Sequence, residues 1–267
     1  KMIQNAFSSE MEFARYLCLQ SAKLLLGYFQ NDHLQKSRKK DRTFVTEADV
    51  AVDTFIREEI QKNYPQDFII SEELNSFSAH ELPKNGWIID PLDGTTNFIL
   101  GLAYWGTLIT RVEGGYPVLS IQYFPVLNEL YQAAQGCAPL LNGDPIQVES
   151  KSAPSSISIF SCCSRTFRNY QVTIRYKTRI FGSAGYSLSS VSKGITRIAF
   201  EATAKIWDLA AAWILIPQAG GVIGVLQGEE PFPVLPNMDY QTKNYPILAA
   251  ASKMWFNEGL QNIKPKD

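Results

Sequence analysis

Histidine and cysteine, the residues of many zinc and redox sites, are scarce in this chain of 267 residues. Its two histidines, His33 and His80, exclude a His-rich zinc site, and a Ser-His-Asp triad would need one of them. The four cysteines show no CxxC spacing and suggest no disulfide framework, which fits a reducing cytosol. We therefore expect any hydrolysis to depend on carboxylates and metal ions rather than on imidazole.

Strong net charge and long apolar runs are also absent. The formal net charge is −1 and the sequence has no dense basic face, so we do not expect nucleic acid as the main partner. The nearest basic cluster, residues 36–40, is short and is expected to lie in a loop. No stretch approaches the roughly 18 apolar residues of a membrane span, and no signal-type segment is recognised. We therefore expect a cytoplasmic protein without a membrane partner.

The overall composition is that of a globular protein, with 45% hydrophobic and 19% charged residues. The length allows a well-buried core. We expect a single domain over 1–267 with two lobes, roughly 1–150 and 151–267. Pro154 and the serines around it mark the expected boundary between the lobes.

The stretch from Trp87 to Phe98, WIIDPLDGTTNF, carries the most chemical information. Its apolar start predicts a buried strand end, followed by Asp90 and, across an expected tight bend, by Asp93. Gly94 and the two threonines after it predict a helix start, where free backbone N–H groups suit a phosphate. Carboxylates suit Mg²⁺, which usually takes one or two of them with water and phosphate oxygens. The alternative for this stretch alone is an ordinary surface turn with solvated Asp side chains.

Other patterns predict helices that alternate with strands. Apolar residues three to four apart predict a helix over 11–29, and Thr46 with Asp49 has the form of a capping box that opens a helix to about residue 62. On that motif alone, Asp49 is a cap. Further strands are predicted at 67–71, 107–113, 116–124, 129–134, 157–162, 195–202 and 245–251, and further helices at about 185–193, 207–219 and 254–263. This mixture predicts α/β or α+β layers.

Three separated signatures point to one known family. They are Ser71-Glu72-Glu73 at a strand end, residues 90–97, and Trp207-Asp208 followed by an alanine-rich helix and Gly220-Gly221. Thr46 with Asp49 and the segment 136–148 fit as well, so the likeness spans nearly the whole chain. In these features the sequence resembles the inositol monophosphatase family, within the lithium-sensitive, Mg²⁺-dependent phosphomonoesterases. The resemblance implies an αβαβα layered sandwich of the inositol monophosphatase and fructose-1,6-bisphosphatase type, a homodimer, and two or three Mg²⁺ ions per active site.

The resemblance also assigns roles to single residues. It implies that the metal is bound by Glu72, Asp90, Asp93, Asp208 and the backbone carbonyl of Leu92. It implies that the substrate is bound by Gly94, Thr95, Thr96, Ser183, Ala184, Glu201 and Asp208. The implied catalytic residues are Asp49, Glu72 and Thr95. Asp49 and Thr95 would position the attacking water, whose pKa the metal would lower while cancelling the charge of the phosphate. The first lobe would carry the metal and phosphate site, and the second lobe the substrate pocket and the last metal ligand.

The sequence leaves open which alcohol the hydrolysis would release. Glu201 favours inositol 1-phosphate because a carboxylate suits a polyol, but it would equally suit the ammonium group of histidinol phosphate. Fructose 1,6-bisphosphate or a 3′-phosphoadenosine nucleotide would need further cations, for which the candidates are Arg165, Arg168 and Lys205. The positions that depart from the family pattern bear on this choice: Ser71, Leu74, Leu100 and Lys205. The alternative of a different class is a non-catalytic binding protein on the same fold, whose mark would be a missing metal carboxylate, and none is missing.

Overall fold

The computed structural model describes residues 9–29, 36–38, 44–73, 84–148 and 157–266. Both histidines, Leu74 and the expected lobe boundary near Pro154 lie outside the described residues. The helices within these ranges are α1 (Ser9–Tyr28), α2 (Glu47–Asn63), α3 (Thr95–Ile99), α4 (Thr166–Asn169), α5 (Ala184–Ser192), α6 (Ile206–Gln218) and α7 (Lys253–Asn262). A single 3₁₀ turn covers Pro125–Leu127.

Sixteen strands lie in the same ranges. Those in the first part of the chain are β1 (Lys36–Arg38), β2 (Phe44–Thr46), β3 (Phe68–Ser71), β4 (Asn85–Asp93), β5 (Gly106–Glu113), β6 (Tyr116–Phe124), β7 (Glu129–Ala134), β8 (Leu140–Leu141) and β9 (Asp144–Pro145). Those in the second part are β10 (Ile159–Cys162), β11 (Tyr170–Val172), β12 (Lys177–Arg179), β13 (Ile198–Ala204), β14 (Val222–Val225), β15 (Tyr245–Ala250) and β16 (Ile263–Pro265).

Two mixed sheets organise these strands. The first has seven strands in chain order from β3 to β9, parallel between β3 and β4 and antiparallel elsewhere. The second has five strands in the order β12-β10-β13-β15-β14, and β10 runs parallel to both of its neighbours. Two further strand pairs, β1 with β2 and β11 with β16, stand apart from these sheets.

Helices alternate with the two sheets in five layers. On the outer face of the first sheet, α1 packs on β5 and β6 and α2 packs on β4. Both α5 and α6 lie between the sheets, and α7 covers the outer face of the second sheet. An alanine-rich sequence that is apolar on nearly every side explains the place of α6, since a helix of this kind is stable only where both faces are covered. The predicted αβαβα sandwich is confirmed.

The end of β4 places the central motif at the interface between the layers. The strand is buried almost throughout, and its pairing with β5 is irregular between Asp90 and Asp93. The chain therefore passes through a β-bulge, where the sequence predicted a tight bend. Gly94 follows with a φ of +86°, and a Cβ atom there would lie 2.6 Å from the carbonyl oxygen of Tyr104. Only glycine meets both conditions, and α3 begins directly after it.

Most predicted elements agree with the observed ones to within a few residues, and β6 and β7 agree at both ends. The expected loop at residues 36–40 is wrong for Lys36–Arg38, which pair with Phe44–Thr46 as a short hairpin. The strand predicted at 195–202 is displaced to Ile198–Ala204, because Gly194 ends α5 with a positive φ and a turn follows. Across the described ranges, none of the helices combines the length and apolar character needed to cross a bilayer.

Candidate active site

Three aspartates meet where the first sheet ends and α6 begins. Asp90 and Asp93 lie at the carboxyl end of β4, and Asp208 is the third residue of α6. One carboxylate oxygen from each of the three lies within 4.8 Å of those from the other two. The sequence separates Asp93 from Asp208 widely, but the fold brings them into one cluster that is large enough for a metal ion.

Each aspartate is held in place by backbone groups. The carboxylate of Asp93 accepts hydrogen bonds from the N–H groups of Ala184 and Gly185, both at 3.0 Å, and from the Ser183 hydroxyl. Asp90 Oδ1 accepts from the N–H of Leu92 at 3.1 Å, and Asp208 Oδ2 accepts from the N–H of Lys205 at 2.7 Å. These contacts fix the side chains before any ligand binds, and Asp93 links the first sheet to the start of α5.

Burial raises the free energy of the ionised carboxylates in this cluster when no cation is bound to them. Burial raises the pKa of Asp93 to about 6, and hydrogen bonds from Ser183 and Ala184 oppose that rise. The pKa values of Asp90 and Asp208 lie well above the ordinary range, first because the groups are buried and second because Glu72 is nearby. A divalent cation would offset the repulsion between these neighbouring carboxylates, and carboxylate oxygens are the ligands that Mg²⁺ prefers. The residues present therefore fit a magnesium site.

Glu72 and Leu92 complete the predicted metal-binding group. Glu72 follows β3 and donates its N–H to the carbonyl of Ile89 at 3.3 Å, beside Asp90 on the neighbouring strand. Its side chain lines the same cavity as the three aspartates, although it lies outside their 4.8 Å cluster. Leu92 lines that cavity as well.

Asp49 has a structural role and also reaches the site. It forms a capping box with Thr46 at the start of α2, as predicted. Its other carboxylate oxygen, Oδ1, lies 3.1 Å from the hydroxyl of Thr95, which is also 3.1 Å from the carbonyl oxygen of Leu92. A hydroxyl has one proton, so Thr95 donates to one of these acceptors at a time. Burial raises the pKa of Asp49 to about 6.

Two adjoining cavities extend from the cluster. The first, of about 200 Å³, is lined by Glu72 and the three aspartates together with Gly94, Thr95, Lys205, Trp207 and Gln241. The second, of about 350 Å³, is bordered by Ser183, Ala184, Ile180, Cys163 and Glu201. Both cavities share Thr96, Gly182, Thr203, Asp208 and Arg165, whose guanidinium donates to the Thr203 hydroxyl at 3.0 Å. The second volume is at the small end of ligand pockets, so it suits a small molecule.

Glu201 lies at the side of the second cavity and is only 4% exposed. Burial raises its pKa to about 8, which hydrogen bonds from Ser187 and Cys163 partly oppose. Glu201 is therefore a buried acid beside a cavity rather than an acid of the surface. Gln241 also lines the first cavity, but no sequence signal pointed to it, since it lies in an irregular segment without a motif.

The layered sandwich and its acidic cluster define the class of the protein, which has a fold of the inositol monophosphatase and fructose-1,6-bisphosphatase type. The sequence matches the model of the inositol monophosphatase family over residues 8–263, and the chain belongs to that family. The family is one of Mg²⁺-dependent phosphatases, and some of its members are named as transcription factors. The resemblance seen in the sequence is thereby confirmed.

Individual relatives differ in name. A histidinol-phosphatase of Chlorobaculum parvum is 33% identical over 222 residues, which cover 79% of this chain and 84% of the relative. The Nus factor SuhB of Pasteurella multocida is 30% identical over 249 residues, which cover 90% of this chain and 89% of the relative. Among solved structures, an IMPase of Thermotoga maritima has a TM-score of 0.75 at 26% identity and covers 95% of this chain and 99% of its own.

Proposed function

We propose that this protein is a Mg²⁺-dependent phosphomonoesterase that hydrolyses a small phosphorylated alcohol. The observation that carries the proposal is the convergence of Asp90, Asp93 and Asp208 within 4.8 Å, next to a hydroxyl and carboxylate pair, in a chain of this family. A phosphate monoester is a dianion that repels a nucleophile, so such a site must supply positive charge.

The proposed metal site holds two or three Mg²⁺ ions among Glu72, Asp90, Asp93, Asp208 and the Leu92 carbonyl. When bound, the ions supply Lewis acidity, which cancels charge on the phosphate and lowers the pKa of the attacking water. The carbonyl oxygen of Leu92 has two lone pairs, so it can accept from Thr95 and still face a cation.

Thr95 and Asp49 are proposed to orient the water and to receive its proton. When the Thr95 hydroxyl donates to Asp49, its oxygen lone pairs face away from that carboxylate and can accept a proton from water. Asp49, with a pKa of about 6, is ionised above that pH and can take up the proton that passes through Thr95. No covalent intermediate on the protein is needed.

The phosphate is proposed to lie over the turn of Gly94, Thr95 and Thr96. At Gly94 the absence of a side chain leaves the backbone accessible from the cavity. The polar donors of Ser183 and Ala184 are already directed at Asp93, so these two residues would meet the substrate through packing. Their main contribution is to hold Asp93.

The second cavity is proposed to receive the alcohol, with Glu201 accepting hydroxyl groups. Inositol 1-phosphate is the substrate that we favour, because a carboxylate suits a polyol and further polar residues, among them Thr203, line the same cavity. Histidinol phosphate is the main alternative, since its ammonium group would also pair with Glu201 and a 33% identical relative is named histidinol-phosphatase. We further propose a cytoplasmic homodimer that is sensitive to Li⁺, as is typical of the family.

Phosphate release from a panel of esters tests the proposal. The panel contains inositol 1-phosphate, histidinol phosphate, fructose 1,6-bisphosphate and 3′-phosphoadenosine 5′-phosphate, each with Mg²⁺ and with a chelator. We expect Mg²⁺-dependent release, with inositol 1-phosphate preferred. Binding of Mg²⁺ without release from any ester would contradict the proposal. It would favour the non-catalytic alternative, to which the relative named Nus factor SuhB draws attention.

A further inference from the structure

An irregular segment of the second part of the chain reaches across to the first sheet. This segment, residues 226–244, is called the strap here. All of its residues are described, and none belongs to a helix or strand. It is anchored by the buried side chains of Phe232, Val234 and Tyr240, and the N–H of Val234 donates to the carbonyl of Gly115 at 2.8 Å. The strap therefore has a fixed position relative to the turn between β5 and β6.

One strap residue, Gln241, contacts the backbone at Glu72, which belongs to the proposed metal site. Its side-chain Nε2 lies 3.3 Å from the carbonyl oxygens of both Ser71 and Glu72, at the end of β3. Its own N–H donates to Asp239 Oδ1 at 3.0 Å, which orients the backbone. The amide side chain thus holds the backbone that carries the Glu72 carboxylate.

The backbone of Gln241 makes a second connection, to α6. Its carbonyl oxygen accepts from Lys205 Nζ at 2.5 Å, and the N–H of Lys205 donates to Asp208 Oδ2 at 2.7 Å. A short chain of hydrogen bonds therefore runs from Glu72 through Gln241 and Lys205 to Asp208. These two acids belong to different parts of the fold and have like charge, so packing alone would not favour their approach.

We propose that Gln241 is a positioning residue for the metal site, because it fixes the end of β3 relative to the start of α6. This inference rests on the proposed function, in which Glu72 and Asp208 bind Mg²⁺. Residues that orient metal ligands typically contribute 10- to 100-fold to metal affinity. Without the Gln241 donors, Glu72 samples more positions and the metal binds less tightly. At saturating metal concentration, the variant has the same reacting groups as the wild type, so its kcat should be similar.

The test compares Gln241→Met, which keeps size and removes the amide, with the control Glu229→Gln in the same strap. The exposed Glu229 carboxylate pairs with Lys243 Nζ at 2.5 Å and does not line either cavity described above. Binding of Mn²⁺ to the metal-free protein is measured by electron paramagnetic resonance, and phosphate release from inositol 1-phosphate is measured against Mg²⁺ concentration. Melting temperatures of the metal-free proteins report the fold.

We expect Gln241→Met to weaken Mn²⁺ binding about tenfold or more. We also expect it to raise the Mg²⁺ concentration for half-maximal activity by a similar factor, with kcat at saturating Mg²⁺ within about twofold of wild type. Glu229→Gln should change neither. Unchanged Mn²⁺ affinity in Gln241→Met, or a matching loss in Glu229→Gln, would overturn the inference. So would a melting temperature that falls in parallel with the affinity, since Gln241 would then be structural. A wild-type protein that binds no metal and releases no phosphate would instead refute the proposed function.

Discussion

Replacing Asp93 by Asn removes one charge from the acidic cluster with almost no change in shape. Unit charges about 4 Å apart interact by about 4 kcal/mol at an effective dielectric constant near 20, which corresponds to a factor of about 10³. Asp93→Asn removes an attraction of this size between the carboxylate and a bound cation. We therefore expect kcat/KM for the preferred ester at fixed Mg²⁺ to fall by about 10³ or more.

The same change should leave the metal-free fold nearly as stable as before. Burial raises the pKa of Asp93 from 3.8 to about 6, so the ionised carboxylate destabilises the folded state above pH 6. At pH 8 this cost is about 3 kcal/mol, which Asn removes. In return, the Asn amide nitrogen cannot accept from the N–H of Gly185, whereas the Ser183 hydroxyl can turn and accept from it, and one lost buried hydrogen bond costs about 1–3 kcal/mol. The two effects nearly cancel.

The assay combines phosphate release with thermal unfolding in a chelator, and Asp144→Asn on the exposed strand β9 is the control. We expect Asp93→Asn to melt within a few degrees of wild type and to be almost inactive, and Asp144→Asn to be normal in both. Near-normal turnover in Asp93→Asn would refute the assignment of Asp93 as a metal ligand. Unfolding of the metal-free variant would refute the balance of energies worked out above.

Three further predictions concern the water, the substrate and pH. Thr95→Val should lower kcat about 10²-fold with little change in KM, and Thr95→Ser should restore most of it. Arg165→Gln should raise KM for anionic esters about tenfold or more, because Arg165 borders both cavities, whereas the exposed Arg168→Gln should not. In a chelator, stability measured by urea unfolding should fall from pH 6 to pH 8. Burial raises the pKa of Glu201 to about 8, so the folded state holds a proton that the unfolded state has lost.

Each of these predictions has a contrary result. Equal activity of the Val and Ser variants at residue 95 would remove the hydroxyl from the mechanism. Equal effects of the substitutions at Arg165 and Arg168 would mean that long-range charge, rather than a place beside the cavities, determines KM. A metal-free protein that becomes more stable between pH 6 and pH 8 would contradict the raised pKa values of the buried acids.

The sequence predicted those parts of the site that depend on local signals. Asp90 and Asp93 end an apolar strand, and this local pattern predicted them as neighbours, whereas the place of Asp208 beside them was implied only by the resemblance to the family. The burial of Glu201 could not be predicted, because it results from the packing of α4 and α5 against β13. Gln241 was missed for the same reason, since only the path of the strap brings it to Glu72.

The differences between the predicted and the observed fold have similar causes. Strands of three residues, such as Lys36–Arg38, carry too few side chains to establish an alternating pattern, and their pairing depends on a partner elsewhere. The bulge before Asp93 likewise depends on β5, since it appears only in the pairing of the two strands. By contrast, the capping box at Thr46 is local and was predicted with its position.

The place of α6 between the two sheets has a consequence for biosynthesis. A chain leaves the ribosome at roughly 5–20 residues per second, so Asp90 and Asp93 are exposed several seconds before Asp208. During that interval the first sheet has no α6 to cover its inner face, so the apolar side chains of that face are exposed. Because Asp208 and the cover of the core arrive on the same helix, the three aspartates can come together only when the sandwich closes.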